Sequence, residues 1–279
     1  MSSEFAEISI NKVKDYWNAR PCNIRHSTAE VGTREYFDQV EARKYFVEPH
    51  IPLFAEFEKW RGKKVLEIGC GIGTDTINFA RAGAEVTAVD LSGKSLELAK
   101  KRAEVFGFSD RINFYEANAE KLSEFVAPQK FDLVYSFGVI HHSPHPEKII
   151  QQIKENFVGK DSKLKLMVYY RHSWKVLWIL LGYGKGKFWQ LDKMIATHSE
   201  AQTGCPITYS YTKETVKDLI DEGFEAEDIF VDHIFPYRIP EYVQYKYLKE
   251  WYFRFLPKSV FRKLEKIFGW HLCITARVK

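Results

Sequence analysis

The sequence predicts an α/β protein built on a mostly parallel sheet with helices on both faces. Three observations carry that expectation. From Lys63 onward, short β-branched runs alternate with helical stretches, the pattern left by strands linked through crossover helices. A glycine turn, EIGCGIGT at 67–74, follows the first apolar run directly. The second run, AEVTAVD, closes on Asp90, about twenty residues past the turn, where a carboxylate can accept both hydroxyls of a ribose.

In order, the chain reads as strand 64–68, helix 74–82, strand 85–90, helix 92–106, and strands 111–116 and 131–136. Helix 147–157, opening after Pro146, strand 163–170, helix 212–222 and strands 225–232 and 271–278 complete a set of seven strands. Two intervals, 171–211 and 233–270, break the rhythm and are rich in aromatic and basic residues. Each leaves a strand's carboxyl end, the edge where open α/β sheets bind ligands. They are expected to cap a pocket, with residues 1–60 as a helical lid on a domain spanning 61–279.

The 279 residues are 45% hydrophobic, enough for a sizeable core. The net charge of +4, from 41 basic and 37 acidic side chains, argues against nucleic acid as the main partner. Cys22, Cys70, Cys205 and Cys273 show no C-x-x-C pair and no histidine at zinc spacing. Neither a disulfide scaffold nor a metal site is indicated, and a reducing cytoplasm is the expected compartment. No secretory leader is read in MSSEFAEISINKVKDYW, and no stretch reaches the roughly 18 apolar residues that cross a bilayer. In WKVLWILLGYG at 174–184, Trp174, Leu177, Trp178 and Leu181 recur at helical spacing. The first reading is a stripe packed into the protein, the second a contact with a membrane surface.

A nicotinamide site asks for G-x-G-x-x-G. Here Gly69, Gly71 and Gly73 alternate, Thr74 stands in place of the last glycine, and Glu67 lies just ahead. That acid suits an ammonium or sulfonium better than a pyrophosphate. Asn118, Ala119 and Glu120 follow the third strand, and Ser136, Phe137 and Gly138 end the fourth, before His141 and His142.

Taken together, VLEIGCGIGT, VTAVD, ANAEKL and FDLVYSFGVIHHSPHPEKII resemble the class I S-adenosylmethionine-dependent methyltransferases, particularly the branch of the ubiquinone and menaquinone methylases. The resemblance covers roughly residues 60 to 170. It implies a Rossmann-like seven-stranded sheet with an antiparallel last strand and S-adenosyl-L-methionine as cofactor. Carried over by position, Gly69, Gly71 and Gly73 approach the methionine part, with Glu67 and Ser136 beside them. Asp90 with Leu91 takes the ribose, and Asn118 with Ala119 the adenine; the family's usual aspartate is asparagine here, and its amide oxygen can still accept from the adenine amino group.

Methyl transfer by in-line displacement rests on alignment and exclusion of water, with a base needed only where the acceptor must lose a proton. His141 and His142 are the candidate bases. Tyr16, Arg20, Arg25 and His26 in the lid, Tyr170 and Arg171 at the end of the fifth strand, and Tyr209 and Arg238 in the caps are candidate substrate contacts. If the arginines converge, the acceptor is anionic; solvated arginines on a lid are the competing reading. Gln202, Thr203 and Tyr211 could add hydrogen bonds, and the aromatic run at 235–257 is expected mostly to pack as core.

The expected activity is therefore methylation of a small molecule, anionic or aromatic and amphipathic. Held against it are a nicotinamide oxidoreductase, a regulatory protein that binds the cofactor without turnover, and a peripheral membrane methyltransferase of lipid or quinone. Membrane contact is the less favoured of the partner readings, and a homodimer is left open.

Overall fold

The computed structural model describes residues 5–184, 188–199 and 204–279. Three helices precede the sheet: α1 (Ile10–Ala19), α2 (Arg34–Val47) and α3 (His50–Ala55). Ser9 and Thr33 open the first two by accepting backbone N–H bonds from Asn11 and Tyr36. The alternating part then runs β1 (Lys64–Ile68), α4 (Thr74–Ala82), β2 (Glu85–Asp90), α5 (Gly93–Phe106), β3 (Ile112–Glu116), β4 (Phe131–Phe137), α6 (Pro146–Asn156) and β5 (Val158–Tyr169). After β5 come α7 (Trp174–Tyr183), α8 (Leu191–His198), α9 (Lys213–Ile220) and β6 (Phe224–Asp232). The short helices α10 (Ile239–Tyr242) and α11 (Trp251–Arg254), then α12 (Lys258–Phe268), lead into β7 (His271–Val278).

All seven expected strands form one sheet in the order β3-β2-β1-β4-β5-β7-β6. The first five pair in parallel, and β7 inserts antiparallel between β5 and β6. β5 begins five residues earlier than expected because Val158 pairs with Phe131 before a register shift carries the ladder to Lys163 and Leu133. Both faces are covered, so β1 and β4 are buried almost throughout, as a sheet sandwiched between helix layers requires. Val13 of α1, Ile150 of α6 and Leu219 of α9 belong to the core on one face, with Leu164 and Ile274 of the sheet. Phe54 of α3, Phe79 of α4 and Ala99 of α5 belong to the other, with Val86 and Tyr135.

The region before β1 divides in two. α3 is structural, since Ile51, Phe54 and Ala55 are buried and the Lys165 ammonium donates to the Phe54 carbonyl at 2.5 Å. α1 is the element that crosses the strand ends. Asn18 at its C-terminal end accepts from the Ser92 hydroxyl (2.9 Å), and Lys14 pairs with Glu116 (2.5 Å). These bonds tie α1 across the carboxyl ends of β2 and β3.

α7 corrects one expectation. It forms, but it buries Val176 and Ile179, while Leu177, Trp178 and Leu181 are exposed, Leu181 by 78%. The helix is apolar nearly all round, so periodicity could not select the inward face. The aromatic run at 235–257 is likewise less internal than expected: Phe253 is buried, whereas Trp251 and Phe255 are 75% and 83% exposed. Among the described residues, no helix is long and apolar enough to cross a membrane.

Candidate functional site

The glycine turn joins β1 to α4. Gly69, Gly71 and Gly73 adopt φ of +82°, +55° and +77°, a region that costs other residues roughly 1–2 kcal/mol. Their surroundings differ. A Cβ on Gly69 would lie 2.1 Å from a Val139 methyl, and one on Gly73 would press on Ala99 of α5 at 3.1 Å. A Cβ on Gly71 would meet nothing within 4 Å, and Gly71 lines the cavity beside the turn. Close helix packing thus falls to Gly73, and Thr74 is free to be a threonine whose hydroxyl accepts from the buried Arg102 guanidinium (2.7 Å).

Beside the turn lies a cavity with about 1040 Å³ of empty space, its solvent-open mouth included. Its wall contains Gly69, Gly71, Asp90, Leu91, Asn118 and Ala119, six of the residues expected at a cofactor. One Asp90 carboxylate oxygen accepts from the Gly71 N–H and the other from the Ser92 N–H, both at 2.8 Å. Burial raises its pKa to about 6 despite those bonds. The Asn118 amide oxygen accepts from the Glu120 N–H (3.0 Å), which holds the loop after β3 in place and keeps one acceptor lone pair for a ligand.

Three expected cofactor contacts are absent from that wall, and one of them, Gly73, packs against Ala99 of α5 instead. Glu67 sits behind the turn, accepting from the Thr76 hydroxyl (2.5 Å), and burial together with the Asp75 carboxylate raises its pKa. Ser136 is also turned inward, its hydroxyl donating to the Ile68 carbonyl (2.9 Å). Strand pleating explains both, because these positions serve the sheet and not its edge. Sequence reasoning missed Ile10, Val13 and Trp17 of α1, which close the cavity, and Lys44 of α2. The spacing of those three at i, i+3 and i+7 was the available signal. Burial opposes the Lys44 ammonium, but the paired Asp75 carboxylate at 2.7 Å prevails and raises its pKa.

The two histidines separate. His141 is completely buried and lines neither of the two main cavities; its ring packs on Tyr169 at 3.9 Å. Burial, then neighbouring His142, hold its pKa far below normal. It cannot reach a substrate, so the expectation of a base at 141 is corrected. His142 does line the cavity, with Trp17 edge-on at 5.3 Å. Its Nδ1 lies 2.7 Å from the Ile207 carbonyl; a carbonyl only accepts, so the neutral ring carries its proton there and its lone pair on Nε2.

Most expected substrate contacts do not converge. Arg20 stacks on Tyr16 at the exposed end of α1, and Arg25 is exposed. Arg171 is paired with Asp192 (2.7 Å) and Arg238 with Glu241 (2.9 Å). Tyr16, Tyr170 and Tyr209 line neither main cavity: Tyr170 bridges to Tyr211, and the Tyr209 hydroxyl donates to the Pro144 carbonyl (3.3 Å). The arginine cluster that an anionic acceptor would need is not assembled. Gln202 and Thr203 lie outside the described residues.

A second cavity, about 1550 Å³ with its open mouth, shares Asn23 with the first. It is lined by His26, Tyr169, Trp174, Trp178, Tyr242, Trp270 and other residues of α7 and of the segment after β6. Of the expected substrate contacts, His26 alone is on this wall; burial first, then Arg43 and Lys44, lower its pKa to about 4. Glu48, His233 and His271 also line it. Among the described residues these three bring their ligand atoms within 4.8 Å of one another, a grouping hidden in the sequence because its members come from three distant elements. Burial first, then neighbouring cations and histidines, hold His233 and His271 far below the usual imidazole range.

The sheet order, the glycine turn and the two-cavity edge define a class I S-adenosylmethionine-dependent methyltransferase fold. Residues 59–175 match the family model described as "Methyltransferase domain". A ubiquinone biosynthesis O-methyltransferase of Actinobacillus pleuropneumoniae is 40% identical over 99 residues, covering 33% of this chain and 40% of that protein. The enzyme of the same description from Psychrobacter arcticus is 30% identical over 175 residues, 63% of this chain and 64% of its own length. The chain thus spans less than two thirds of these relatives. Among solved structures, magnesium protoporphyrin IX methyltransferase from Synechocystis PCC 6803 with bound SAH superposes with a TM-score of 0.60 at 17% identity, over 97% of this chain and all of that one.

Proposed function

We propose that this protein transfers a methyl group from S-adenosylmethionine to a small, largely apolar acceptor held in the second cavity. The observation that carries this reading is the first cavity, framed by a glycine turn with open space over Gly71, by Asp90 and by Asn118–Ala119, with a second cavity that shares Asn23 on its wall. The residues fit the cofactor. The backbone at Gly69 and Gly71 would cradle its methionine part, with the Lys44 ammonium beside the carboxylate. Asp90 would accept from the ribose hydroxyls, and Leu91, Asn118 and Ala119 would bracket the adenine. When bound, S-adenosylmethionine supplies a methyl group activated by a sulfonium.

The chain's own contribution is alignment and dryness. Ile10, Val13 and Trp17 cover the cavity and exclude water, while Asn18 and Lys14 hold their helix down. His142, its tautomer fixed by the Ile207 carbonyl, would take a proton from an acceptor hydroxyl through Nε2. Calorimetric titration with S-adenosylhomocysteine and with NAD tests the cofactor assignment, and binding of NAD alone would overturn it. In methyl-transfer assays over a panel of phenols and other apolar acceptors, His142→Gln is expected to lower kcat by roughly 10²–10⁴-fold with donor affinity retained. A cofactor-binding protein without turnover would show the binding and no product.

The reading of an acceptor at a membrane surface is favoured by one observation. The mouth of the second cavity carries exposed Trp178, Ile239, Val243 and Phe268, and Trp174 packs on Tyr252 and Phe253 of α11 (5.7 and 5.8 Å), joining the exposed edges of α7 and α11. Such an apolar rim suits a lipid or quinone acceptor drawn from a bilayer.

A further inference from the structure

The cluster on the wall of the second cavity has no part in the chemistry described above. Glu48 caps the C-terminus of α2, His233 follows β6, and His271 opens β7. The Glu48 carboxylate lies 3.6 Å from His271 Nε2, and the rings of His233 and His271 are 4.6 Å apart. Behind them the buried His50 places its Nε2 2.9 Å from His271 Nδ1. The tautomer of His271 decides what faces Glu48: with its proton on Nε2 the ring points a donor at the carboxylate and accepts from His50, and with its proton on Nδ1 it presents an Nε2 lone pair beside the carboxylate, a donor pair suited to a cation. The backbone adds an independent sign. His233 has φ of +71°, a strained conformation of the sort that gathers at ligand sites.

We propose that Glu48, His233 and His271 bind one divalent transition-metal ion of the zinc class, with His50 orienting His271 and at least one coordination position facing the cavity. Two imidazoles and one carboxylate suit Zn²⁺, Co²⁺, Ni²⁺ or Fe²⁺ and are too nitrogen-rich for Mg²⁺ or Ca²⁺. Bonds of the usual length set tetrahedral zinc ligands about 3.4 Å apart. The Glu48–His271 separation is already close to that, and a spread of up to 4.8 Å closes by small side-chain rotations. The His50–His271 contact supplies the outer partner that metal-bound histidines have almost without exception. On the methyl-transfer reading, the open position would take an oxygen of the acceptor; that last step rests on the reading, and the metal binding does not.

The test uses the full chain, stripped with chelator and titrated with Co²⁺ alone while the visible ligand-field absorption is followed, then with Zn²⁺ as competitor. One equivalent of Co²⁺ should produce the band and one of Zn²⁺ should remove it. Glu48→Gln and His233→Gln should each weaken binding at least tenfold, and His50→Gln roughly 10–100-fold. Parallel titration with S-adenosylhomocysteine establishes that each variant is folded, since none of these residues lines the first cavity. Absence of a saturable equivalent, or equal binding by the variants and the parent, would overturn the site. Failure of the donor to bind would overturn the methyl-transfer reading and leave the Co²⁺ result standing.

Discussion

Asp90 and the glycines make separable contributions. On the proposed cofactor reading the ionised carboxylate is the form that would accept ribose hydroxyls, and burial raises its pKa to about 6. Protonation removes an acceptor, so affinity for S-adenosylhomocysteine should be flat above neutrality and weaken as pH falls through 6, by up to roughly tenfold per unit. Asp90→Asn should abolish this pH dependence, and Asp90→Ala should cost about 2–3 kcal/mol, roughly 30–150-fold in Kd; isothermal titration at several pH values reads both. Gly69→Ala would drive a methyl into Val139 and should lower the melting temperature sharply. Gly71→Ala points into open space and should cost only about 1–2 kcal/mol of stability while blocking the donor. If both variants lose stability alike and retain binding, the space over Gly71 does not hold the ligand.

At the scale of elements, the short side-chain bridges that place α1 over the first cavity make it a unit able to open separately. Asn18→Ala removes the acceptor used by Ser92, and about 1 kcal/mol of local stability should go with it. Amides of α1 should then exchange roughly fivefold faster in hydrogen-exchange measurements, with those of α5 unchanged and donor affinity reduced; equal acceleration in both helices would mean that α1 is part of the core and no lid. The strands and the helices between them were legible from their periodicity, and some helices also carry a side-chain cap, such as Ser92 and Thr212. The inward face of α7 was not legible, since a helix apolar on nearly every side holds no contrast to read. The same limit applied to the site. Asp90 and Asn118 sit at strand ends that sequence order identifies, whereas the choice between His141 and His142 depends on which ring the Ile207 carbonyl and Tyr169 claim. Arg171 looked available because its partner, Asp192, lies 21 residues away, whereas the Arg238–Glu241 pair sits at i,i+3 spacing and was open to a sequence reading.

For the whole molecule, the question on the proposed reading is where an apolar acceptor would enter. The second cavity opens between α7 and the segment after β6, and exposed Leu181, Trp251 and Phe255 lie on those elements. The same stretch carries Lys246, Lys249, Arg254, Lys258, Lys263 and Lys266. Apolar rings bury into the headgroup region while basic side chains meet anionic lipid, each worth about 1 kcal/mol near a charged surface. Two-component attraction of this kind predicts flotation with vesicles containing anionic phosphatidylserine and little flotation with neutral phosphatidylcholine, weakening as salt rises. Trp251→Glu combined with Phe255→Glu should abolish flotation and raise KM for a vesicle-borne quinone acceptor while leaving S-adenosylhomocysteine affinity and turnover of a soluble phenol unchanged. Both side chains lie outside the two cavity walls, so loss of soluble-substrate turnover would point to misfolding, which the donor titration detects. Equal association with neutral and anionic vesicles, or none with either, would assign the apolar rim to capture of acceptors from solution.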